Sequence, residues 1–384
     1  MTSIMVVSDI HYLAPEYYQG SQLFLRALAN SDGKLTQHSE VLIQALKREV
    51  LAKKPDALLI TGDLSLNGEK LSHIRLASHL REIRDAGIPV WIIPGNHDIN
   101  STCPRRYEAE KWLTVDTVSP TEFRQIYQGM MMQPSGCFDA NLTYSVRVSE
   151  KVRVLMLDTC CYRQPGMIAG VYTAGHHAWI QRALDESRRE HAVVLTASHH
   201  GLIPHTQFAY EHFVIQNRTG LLESLAENGI RLHVSGHLHA QHIAHEGTLT
   251  DAATGGFCIT PHRYAWIEVS GDDRITYTAC ALSEAYLPDG FQRASEAWFK
   301  DVARRKNLES ISALPLDAAQ KQSMAEFSAR FNLAFFTGSY QTCDPRWAQE
   351  TAYALWQQYP AGIFGRYFTQ VIHEYTGENL RFQT

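Results

Sequence analysis

The chain has 384 residues, of which 45% are hydrophobic and 20% charged, so it is long enough to bury one large core and a smaller one. Its net charge of −5 argues against a broad nucleic-acid-binding surface, and its apolar runs are too short to span a bilayer. The amino terminus shows no signal-peptide pattern, and the 7 scattered cysteines resemble reduced thiols. The composition therefore predicts a cytoplasmic protein that binds neither membrane nor nucleic acid.

Six short apolar segments, each bounded by turn residues, predict buried strands. They cover residues 4–7, 57–60, 90–93, 152–157, 192–196 and 231–234. Apolar side chains at helical spacing predict helices at 41–53 and at 71–86, the second ending at Gly87. This alternation of strands and helices predicts an α/β layered fold.

The segment 12–37 between the first strand and the first predicted helix is long for a simple connection. It carries the aromatic residues Tyr17, Tyr18 and Phe24. One interpretation makes it a lid or a pocket wall next to a functional site, and the other lets its aromatic side chains pack locally. The sequence favours neither interpretation over the other.

Beyond about residue 288, aromatic-rich helical patterns replace the alternation of strands and helices. We predict helices that are capped by Ser295, Asp317 and Asp344, and a final helix at 364–375. The chain is therefore predicted to contain two domains, 1–287 and 288–384, and the second is small and all-helical. Its aromatic stripes favour core packing over a part in chemistry.

Side chains of metal-binding types follow the ends of five of the predicted strands. These clusters are Asp9-Ile10-His11, Gly62-Asp63, Gly95-Asn96-His97-Asp98, His199-His200 and Gly236-His237-Leu238-His239. Alternate residues leaving a strand point to the same side, so Asp-x-His can offer an oxygen and a nitrogen to one ion. Because an open α/β sheet builds its site beyond the carboxyl ends of its strands, we expect the five clusters to meet there.

The order and spacing of these five motifs resemble those of the calcineurin-like metallophosphoesterases over roughly residues 1–285. The surroundings, including Asp9-Ile10-His11-Tyr12-Leu13-Ala14-Pro15 and Gly33-Lys34-Leu35, are similar to the bacterial cyclic nucleotide phosphodiesterase branch. That branch carries a helical carboxyl-terminal domain, which residues 288–384 also resemble. The resemblance implies a sandwich of two mixed β-sheets that is flanked by helices.

The same resemblance implies a site for two divalent metal ions. It assigns one ion to Asp9, His11, Asp63 and His239, and the other to Asp63, Asn96, His199 and His237. Asp63 would then bridge the ions, and the mixed nitrogen and oxygen ligands suit Mn²⁺, Fe or Zn²⁺. We choose His199 over His200 because it comes first after its strand and neighbouring residues face opposite ways.

His97 resembles the residue that stabilises the phosphoryl oxygen or protonates the leaving group in this family, with Asp98 orienting its ring. The alternative is that His97 only positions the neighbouring Asn96. The predicted site keeps a net positive charge, which suits a phosphate-ester anion, and two ions can activate a water for in-line attack.

We predict that a metal-bound hydroxide hydrolyses a small phosphodiester, with a cyclic nucleotide as the first choice of substrate. A phosphomonoesterase, a nucleotide or sugar-nucleotide pyrophosphatase, and a nuclease share this metal core, although the acidic chain disfavours the nuclease. A non-catalytic scaffold of the same fold is the alternative outside the enzymes. Loss of ligands would indicate such a scaffold, and all seven candidate ligands are present here.

Overall fold

The computed structural model describes residues 1–131, 142–162, 164, 166–208, 212–340, 345–359, 362–374 and 378–384. The strands are β1 (Thr2–Val7), β2 (Ala57–Thr61), β3 (Val90–Ile93), β4 (Arg105–Glu108), β5 (Lys111–Thr114), β6 (Tyr144–Arg147), β7 (Val152–Leu157), β8 (Val193–Ser198), β9 (Leu232–Ser235), β10 (His242–Glu246), β11 (Leu249–Ala253), β12 (Arg263–Val269), β13 (Ile275–Ala281) and β14 (Arg381–Gln383). The helices are α1 (Gln22–Ala29), α2 (Ser39–Lys53), α3 (Lys70–Asp85), α4 (Pro120–Ile126), α5 (Ala174–Arg189), α6 (Thr219–Glu227), α7 (Phe291–Ser310), α8 (Ala318–Phe336), α9 (Pro345–Gln349), α10 (Thr351–Gln358) and α11 (Gly362–Val371).

Two six-stranded sheets form the centre of the fold, in the orders β14-β13-β12-β1-β2-β3 and β10-β11-β9-β8-β7-β6. In the first sheet β1, β2 and β3 are parallel, whereas β12 pairs with β1 in the antiparallel direction. In the second sheet the parallel strands are β7, β8, β9 and β11, and β6 and β10 are antiparallel edges. Both sheets are therefore mixed, as the family resemblance implied.

Strand β1 shows why the sheets are layered as they are. Ile4 and Val6 pack into the core between the two sheets, while Met5 and Val7 face the core beneath α2 and α3. Successive side chains of a strand point to opposite faces, so a strand that is apolar throughout must be covered on both sides. Helices α5 and α6 cover the second sheet in the same way, through side chains such as Trp179. The predicted α/β layered fold is confirmed.

All six predicted strands and both predicted helices are present, with ends that differ by at most two residues. The structure adds strands that we did not predict, among them β12 and β13, which form a long antiparallel pair in the first sheet. In β12 half-buried positions alternate with buried ones, and Arg263 and Glu268 interrupt its apolar residues. Our criterion of short, continuous apolar runs misses such a strand.

The segment 12–37 combines both interpretations that its sequence left open. Its first part packs locally, since Phe24 stacks on Tyr18 at 4.5 Å and contacts Tyr107 at 5.2 Å between ring centroids. Its second part brings Asp32 to the rim of the metal-ligand clusters. Only the end of the insertion therefore belongs to the candidate site.

The region after residue 288 is helical, and α7 and α8 pack against each other along their lengths. Its core contains Phe327, Phe331, Trp356 and Phe368, which are fully buried. Asp317 caps α8 through a reciprocal contact with Gln320, as predicted.

Three other predictions for this region need comment. Ser295 was wrongly predicted as a cap, because α7 begins four residues earlier and the Ser295 hydroxyl contacts His262 Nε2 at 3.0 Å. The predicted cap Asp344 lies outside the described residues. The final helix was predicted at 364–375, but α11 begins two residues earlier and ends at Val371, four residues before the predicted end.

After the helices, the chain returns to the first sheet as strand β14, which pairs with β13. The turn before β14 is fixed by Asn379, whose side-chain oxygen accepts from the Ile243 amide at 3.0 Å. The Asn379 carbonyl accepts from Gln241 Nε2 at 2.8 Å. We keep the division into 1–287 and 288–384 as a proposal, in which β14 belongs to the first sheet by its pairing.

Within the described part of the chain, none of the helices combines the length and apolarity that a bilayer-crossing segment requires.

Replacing Asn379 by Ala should destabilise the protein, because the buried Ile243 amide loses its acceptor. We expect a loss of about 1–3 kcal/mol in the free energy of unfolding, measured by denaturant titration. Arg381→Ala on the exposed side of β14 is the control and should stay close to wild type. Equal stability of Asn379→Ala and wild type would show that this turn does not hold β14.

Candidate metal centre

The predicted ligands come together where β1, β2, β3, β8 and β9 end. Asp63 lies between two groups of side chains and offers one carboxylate oxygen to each. Its Oδ2 lies 3.4 Å from His11 Nε2, and its Oδ1 lies 3.4 Å from His199 Nε2. Asp63 is 1% exposed, so this carboxylate has little water around it.

The backbone at the ligands differs from the extended chain that we assumed for the Asp-x-His motif. Asp9, His11, Asp63, His237 and His239 all have positive φ angles, between 45° and 63°. Such left-handed conformations are uncommon for residues with a side chain, and they concentrate at functional sites. The side chains therefore converge because the chain turns sharply after each strand, and not through alternation along an extended segment.

Two motif glycines give the ligands room. A side-chain carbon on Gly95 would collide with Asp63 Oδ1, and one on Gly236 would collide with Ser8 Oγ. Neither glycine has a positive φ, so close approach of other atoms, and not backbone freedom, requires glycine at both positions.

The first group contains Asp9, His11, Asp63 and His239, whose ligand atoms all lie within 4.8 Å of one another. His239 Nε2 is 3.3 Å from Asp9 Oδ1 and 3.1 Å from His11 Nε2. The structure therefore brings together all four residues that we predicted for one ion.

The second group surrounds the other oxygen of Asp63. His199 Nε2 lies 3.0 Å from Asn96 Oδ1, and the His199 and His237 rings are 4.9 Å apart between centroids. His200 also lies close enough to count among possible ligands. Both of its ring nitrogens are engaged, however, with the Ile168 carbonyl and the Thr159 hydroxyl at 2.8 Å each. His199 is consequently the better ligand of the adjacent pair.

Three of the histidines are oriented by a contact at the ring nitrogen that faces away from the centre. His199 Nδ1 donates to the Thr61 carbonyl at 2.8 Å, and His237 Nε2 donates to the His212 carbonyl at 3.0 Å. His239 Nδ1 contacts Asp32 Oδ2 at 2.7 Å. Such partners fix the ring orientation and leave the other nitrogen available to a metal ion.

Asp32 belongs to the candidate site, and our sequence analysis missed it. It contacts His239 from the insertion, and Lys34 lies 3.4 Å from its other oxygen. Burial raises the pKa of Asp32, but the charges of Lys34 and His239 outweigh this and hold it well below its usual range. The signal was present in the sequence as Asp32-Gly33-Lys34, but no pattern linked that segment to His239, 207 residues away.

The contacts of His97 and Asp98 correct one predicted role. His97 Nδ1 donates to Asn67 Oδ1 at 3.2 Å, so Asn67 and not Asp98 holds the ring. The Asp98 carboxylate accepts from the backbone amides of Gly95 and Ser65 at 2.9 Å each. Asp98 therefore fixes the turn that carries Asn96 and His97. Its carboxylate oxygens already accept from backbone amides, so they do not hold the His97 ring.

A cavity of about 460 Å³ opens beside the two groups of ligands. Asp63, Asn96, His97 and His239 lie on its wall, which also includes Tyr162. The Nε2 atom of His97 is 4.0 Å from Asp63 Oδ2, at the border between the ligands and this cavity. A small anion in the cavity would therefore lie within reach of both the metal ligands and His97.

The residues at the centre fit a pair of metal ions. Burial raises the pKa of Asp63, but the charges of His199, His97 and His11 keep it well below its usual range, so the carboxylate is ionised. Asp9, fully buried, is likewise held ionised, since the charge of His239 outweighs the effect of burial on its pKa. Two buried carboxylates surrounded by imidazole nitrogens require positive charge to be stable.

Glu69 links this site to the stability of the fold. It is fully buried before α3, and its Oε2 accepts from the backbone amide of Asn67, the residue that holds His97, at 2.9 Å. Burial raises its pKa from 4.5 to about 7, although hydrogen bonds from backbone amides oppose the shift. The folded state thus holds the Glu69 proton more tightly than the unfolded chain does.

The contribution of Glu69 to stability should be complete below pH 4.5 and should disappear as the pH rises through 7. Glu69→Gln stays neutral at every pH, whereas wild type loses stability as Glu69 ionises. The unfolding free energy of the variant minus that of wild type should therefore rise by roughly 2 kcal/mol from pH 5 to pH 8, and we call this rise the gain. Denaturant titrations at both pH values measure this gain. Glu309→Gln on the exposed end of α7 should show no gain, and an equal difference at both pH values for Glu69→Gln would refute the assignment.

Two sequence models match the chain. The model described as calcineurin-like phosphoesterase matches residues 2–241, and the model described as C-terminal domain of cyclic nucleotide phosphodiesterase matches residues 289–377. No curated protein matches this chain.

Among solved structures, a dimetal phosphatase from Danio rerio is similar, with a TM-score of 0.55, 13% identity, and coverage of 73% of this chain and 96% of that one. The purple acid phosphatase PPD1 from yellow lupin is also found, with a TM-score of 0.46, 12% identity, and coverage of 75% and 52%. At such identities the similarity to the first structure concerns the fold alone. By the sequence model that covers most of its length, the chain belongs to the calcineurin-like phosphoesterase family, and its residues 289–377 match the carboxyl-terminal domain of cyclic nucleotide phosphodiesterases.

Proposed function

We propose that this protein hydrolyses the phosphodiester bond of cyclic nucleotides with the help of two divalent metal ions. The observation that carries this proposal is the position of the Asp63 carboxylate, with its two oxygens 3.4 Å from His11 and from His199. A carboxylate placed in this way can bind two ions at once, and a pair of ions about 3.5–4 Å apart is typical of phosphoester hydrolases.

The proposed ligands follow the two groups of side chains around Asp63. One ion is held by Asp9, His11, Asp63 and His239, and the other by Asp63, Asn96, His199 and His237. Mn²⁺, Fe and Zn²⁺ all suit this mixture of carboxylate, amide and imidazole donors. Asp32 and Lys34 add opposite charges beside the first group, so together they leave the positive charge of the loaded site intact.

When bound, the two ions would lower the pKa of a water and polarise the phosphoryl oxygen. The chain itself supplies the proton. His97 has its Nδ1 engaged with Asn67, so its Nε2 faces the cavity, where it can donate a proton to the leaving oxygen. Asp98 acts as a positioning residue in this proposal, because it holds the turn on which Asn96 and His97 lie.

One feature favours a cyclic nucleotide over other phosphate esters: residues 289–377 match the carboxyl-terminal domain of cyclic nucleotide phosphodiesterases. The cavity of about 460 Å³ next to His97 accommodates a small ester of any of these kinds. The cysteines of the described residues are free thiols, which supports a place in the reducing cytoplasm.

The substrate assignment can be tested with metal-stripped protein that is reconstituted separately with Mn²⁺, Fe²⁺ and Zn²⁺. The substrates are bis-p-nitrophenyl phosphate, p-nitrophenyl phosphate, and 2′,3′- and 3′,5′-cyclic nucleotides. We expect a cyclic nucleotide to have the highest kcat/KM, at least about ten-fold above the monoester. Preference for the monoester would make the protein a phosphatase, and inactivity with two ions bound would overturn hydrolysis of these esters.

Replacing His97 by Asn should lower kcat by roughly 10²–10⁴-fold, because the leaving oxygen loses its proton donor. Metal content, measured by mass spectrometry of the purified protein, should remain at the wild-type level. His177→Asn, at an exposed position of α5, is the matched control. Loss of metal from His97→Asn would instead support the interpretation that His97 only positions Asn96.

Replacing Asp32 by Asn should weaken metal binding by roughly 10–100-fold, because His239 loses the carboxylate that orients its ring. Competition with a chelator of known affinity measures this change without an activity assay. Asp289→Asn, an exposed change before α7, serves as the control. Wild-type affinity in Asp32→Asn would exclude a part for Asp32 in holding the metal site.

A further inference from the structure

A second cavity of about 520 Å³ lies between the metal site and the helices after residue 288. It shares the lining residues Asp32, Phe213, Leu238 and Phe336 with the cavity beside His97. Asp32 is hydrogen-bonded to His239, so one end of the second cavity is a single side chain away from the proposed metal ligands. A molecule that is bound at the metal site can therefore extend into this space.

Aromatic side chains form much of the wall of this second cavity. Phe299 of α7 and Phe336 of α8 contact each other with ring centroids 5.3 Å apart. Phe213 also lines the cavity, and its ring centroid lies 5.3 Å from that of His237. Flat apolar walls of this kind favour a planar aromatic ligand, because ring faces gain both burial and stacking.

Polar side chains interrupt this aromatic wall, and three of them carry amide or phenol groups. Asn307, Asn332 and Tyr367 line the cavity and are at most 8% exposed. Among the described residues, no hydrogen-bond partner lies within reach of Asn307 Oδ1, Asn332 Oδ1 or the Tyr367 hydroxyl.

Buried polar atoms without partners are rare in proteins, and three around one cavity point to a ligand that completes them. The Asn307 amide nitrogen already donates to the Ala303 carbonyl at 2.7 Å, so its oxygen is the free group. The terminal torsion of an Asn side chain is broad, so a rotation of the amide can turn such an oxygen towards the cavity, and for Asn307 this rotation also lengthens the contact to Ala303. The ligand must then offer N–H donors to two amide oxygens.

We infer that this second cavity binds the nucleobase of the substrate while its phosphate lies at the metal site. A nucleobase is planar, fits between the aromatic walls, and carries N–H groups that the amide oxygens of Asn307 and Asn332 accept. Only two of the residues that line the cavity carry a charge: Asp32, which lies 3.4 Å from Lys34, and Lys306, whose ammonium donates to the Ser31 carbonyl at 3.2 Å. The other lining residues are uncharged, which suits a neutral ring. The inference rests on the proposed function only for the position of the phosphate.

Binding of unphosphorylated nucleosides to the full-length, metal-free protein tests this inference independently of hydrolysis. Adenosine, guanosine, cytidine and uridine are titrated by calorimetry against wild type and against Asn332→Leu, Tyr367→Phe and Gln322→Leu, with ribose as the ligand control. We expect at least one nucleoside to bind and ribose not to bind. Asn332→Leu should weaken nucleoside binding roughly ten-fold, because one hydrogen bond to the base is lost.

Gln322→Leu, at an exposed position on the same helix α8, should bind the nucleoside as wild type does. Tyr367→Phe removes only the hydroxyl oxygen and should fold. If Asn332→Leu does not fold, the nucleoside affinity of Tyr367→Phe tests the inference. Absence of nucleoside binding to wild type at millimolar concentration, or unchanged affinity in both pocket variants, would overturn the inference.

The same protein preparation separates this inference from the proposed function. If wild type hydrolyses cyclic nucleotides but binds no nucleoside, the inference of a nucleobase site is wrong and the proposed activity stands. Nucleoside binding that depends on Asn332 or Tyr367, together with activity on bis-p-nitrophenyl phosphate but not on cyclic nucleotides, would keep the pocket and overturn the proposed substrate.

Discussion

The crowding of buried electron-pair donors around Asp63 is the constraint on which the rest of the structure depends. Two ionised carboxylates and two imidazole rings have their ligand atoms within 4.8 Å of one another, although each group would prefer water. Five residues of the metal centre also adopt left-handed backbone conformations. Both features cost free energy, and the two apolar layers on either side of β1 must supply the stability that holds the ligands in place.

Much of the site was predictable because its ligands are local in sequence and follow buried strands. Asp9, Asp63 and His199 each come after an apolar run that periodicity identifies. The supporting residues were not predictable in this way. Asn67 and Asp32 act through contacts across 30 and 207 positions in the sequence, and no local pattern connects them to His97 or His239. Similarly, Ser295 looks like a helix cap, but its partner is the distant His262.

In the proposed function, the two cavities divide substrate recognition between the two parts of the chain, with the phosphate at the metal site and the nucleobase in the second cavity. The ligand groups and His97 lie on loops that follow strands of the sandwich, and they deal with phosphate chemistry that many proteins of this fold share. The aromatic and amide side chains of the second cavity come largely from α7, α8 and α11. Specificity for one kind of ester can therefore change in the helices without disturbing the turns that hold the metal ligands.

The pairing of β14 with β13 changes how the helical region is connected. The chain enters the helical region after β13 and leaves it through β14. The helices are therefore connected to the first sheet at two neighbouring strands. A unit with two such attachments can tilt, but it cannot swing freely as a tail on one linker would. The order of synthesis matters as well. The edge of β13 that later pairs with β14 stays open until all the helices have left the ribosome, and during that interval strands of other chains can pair with it.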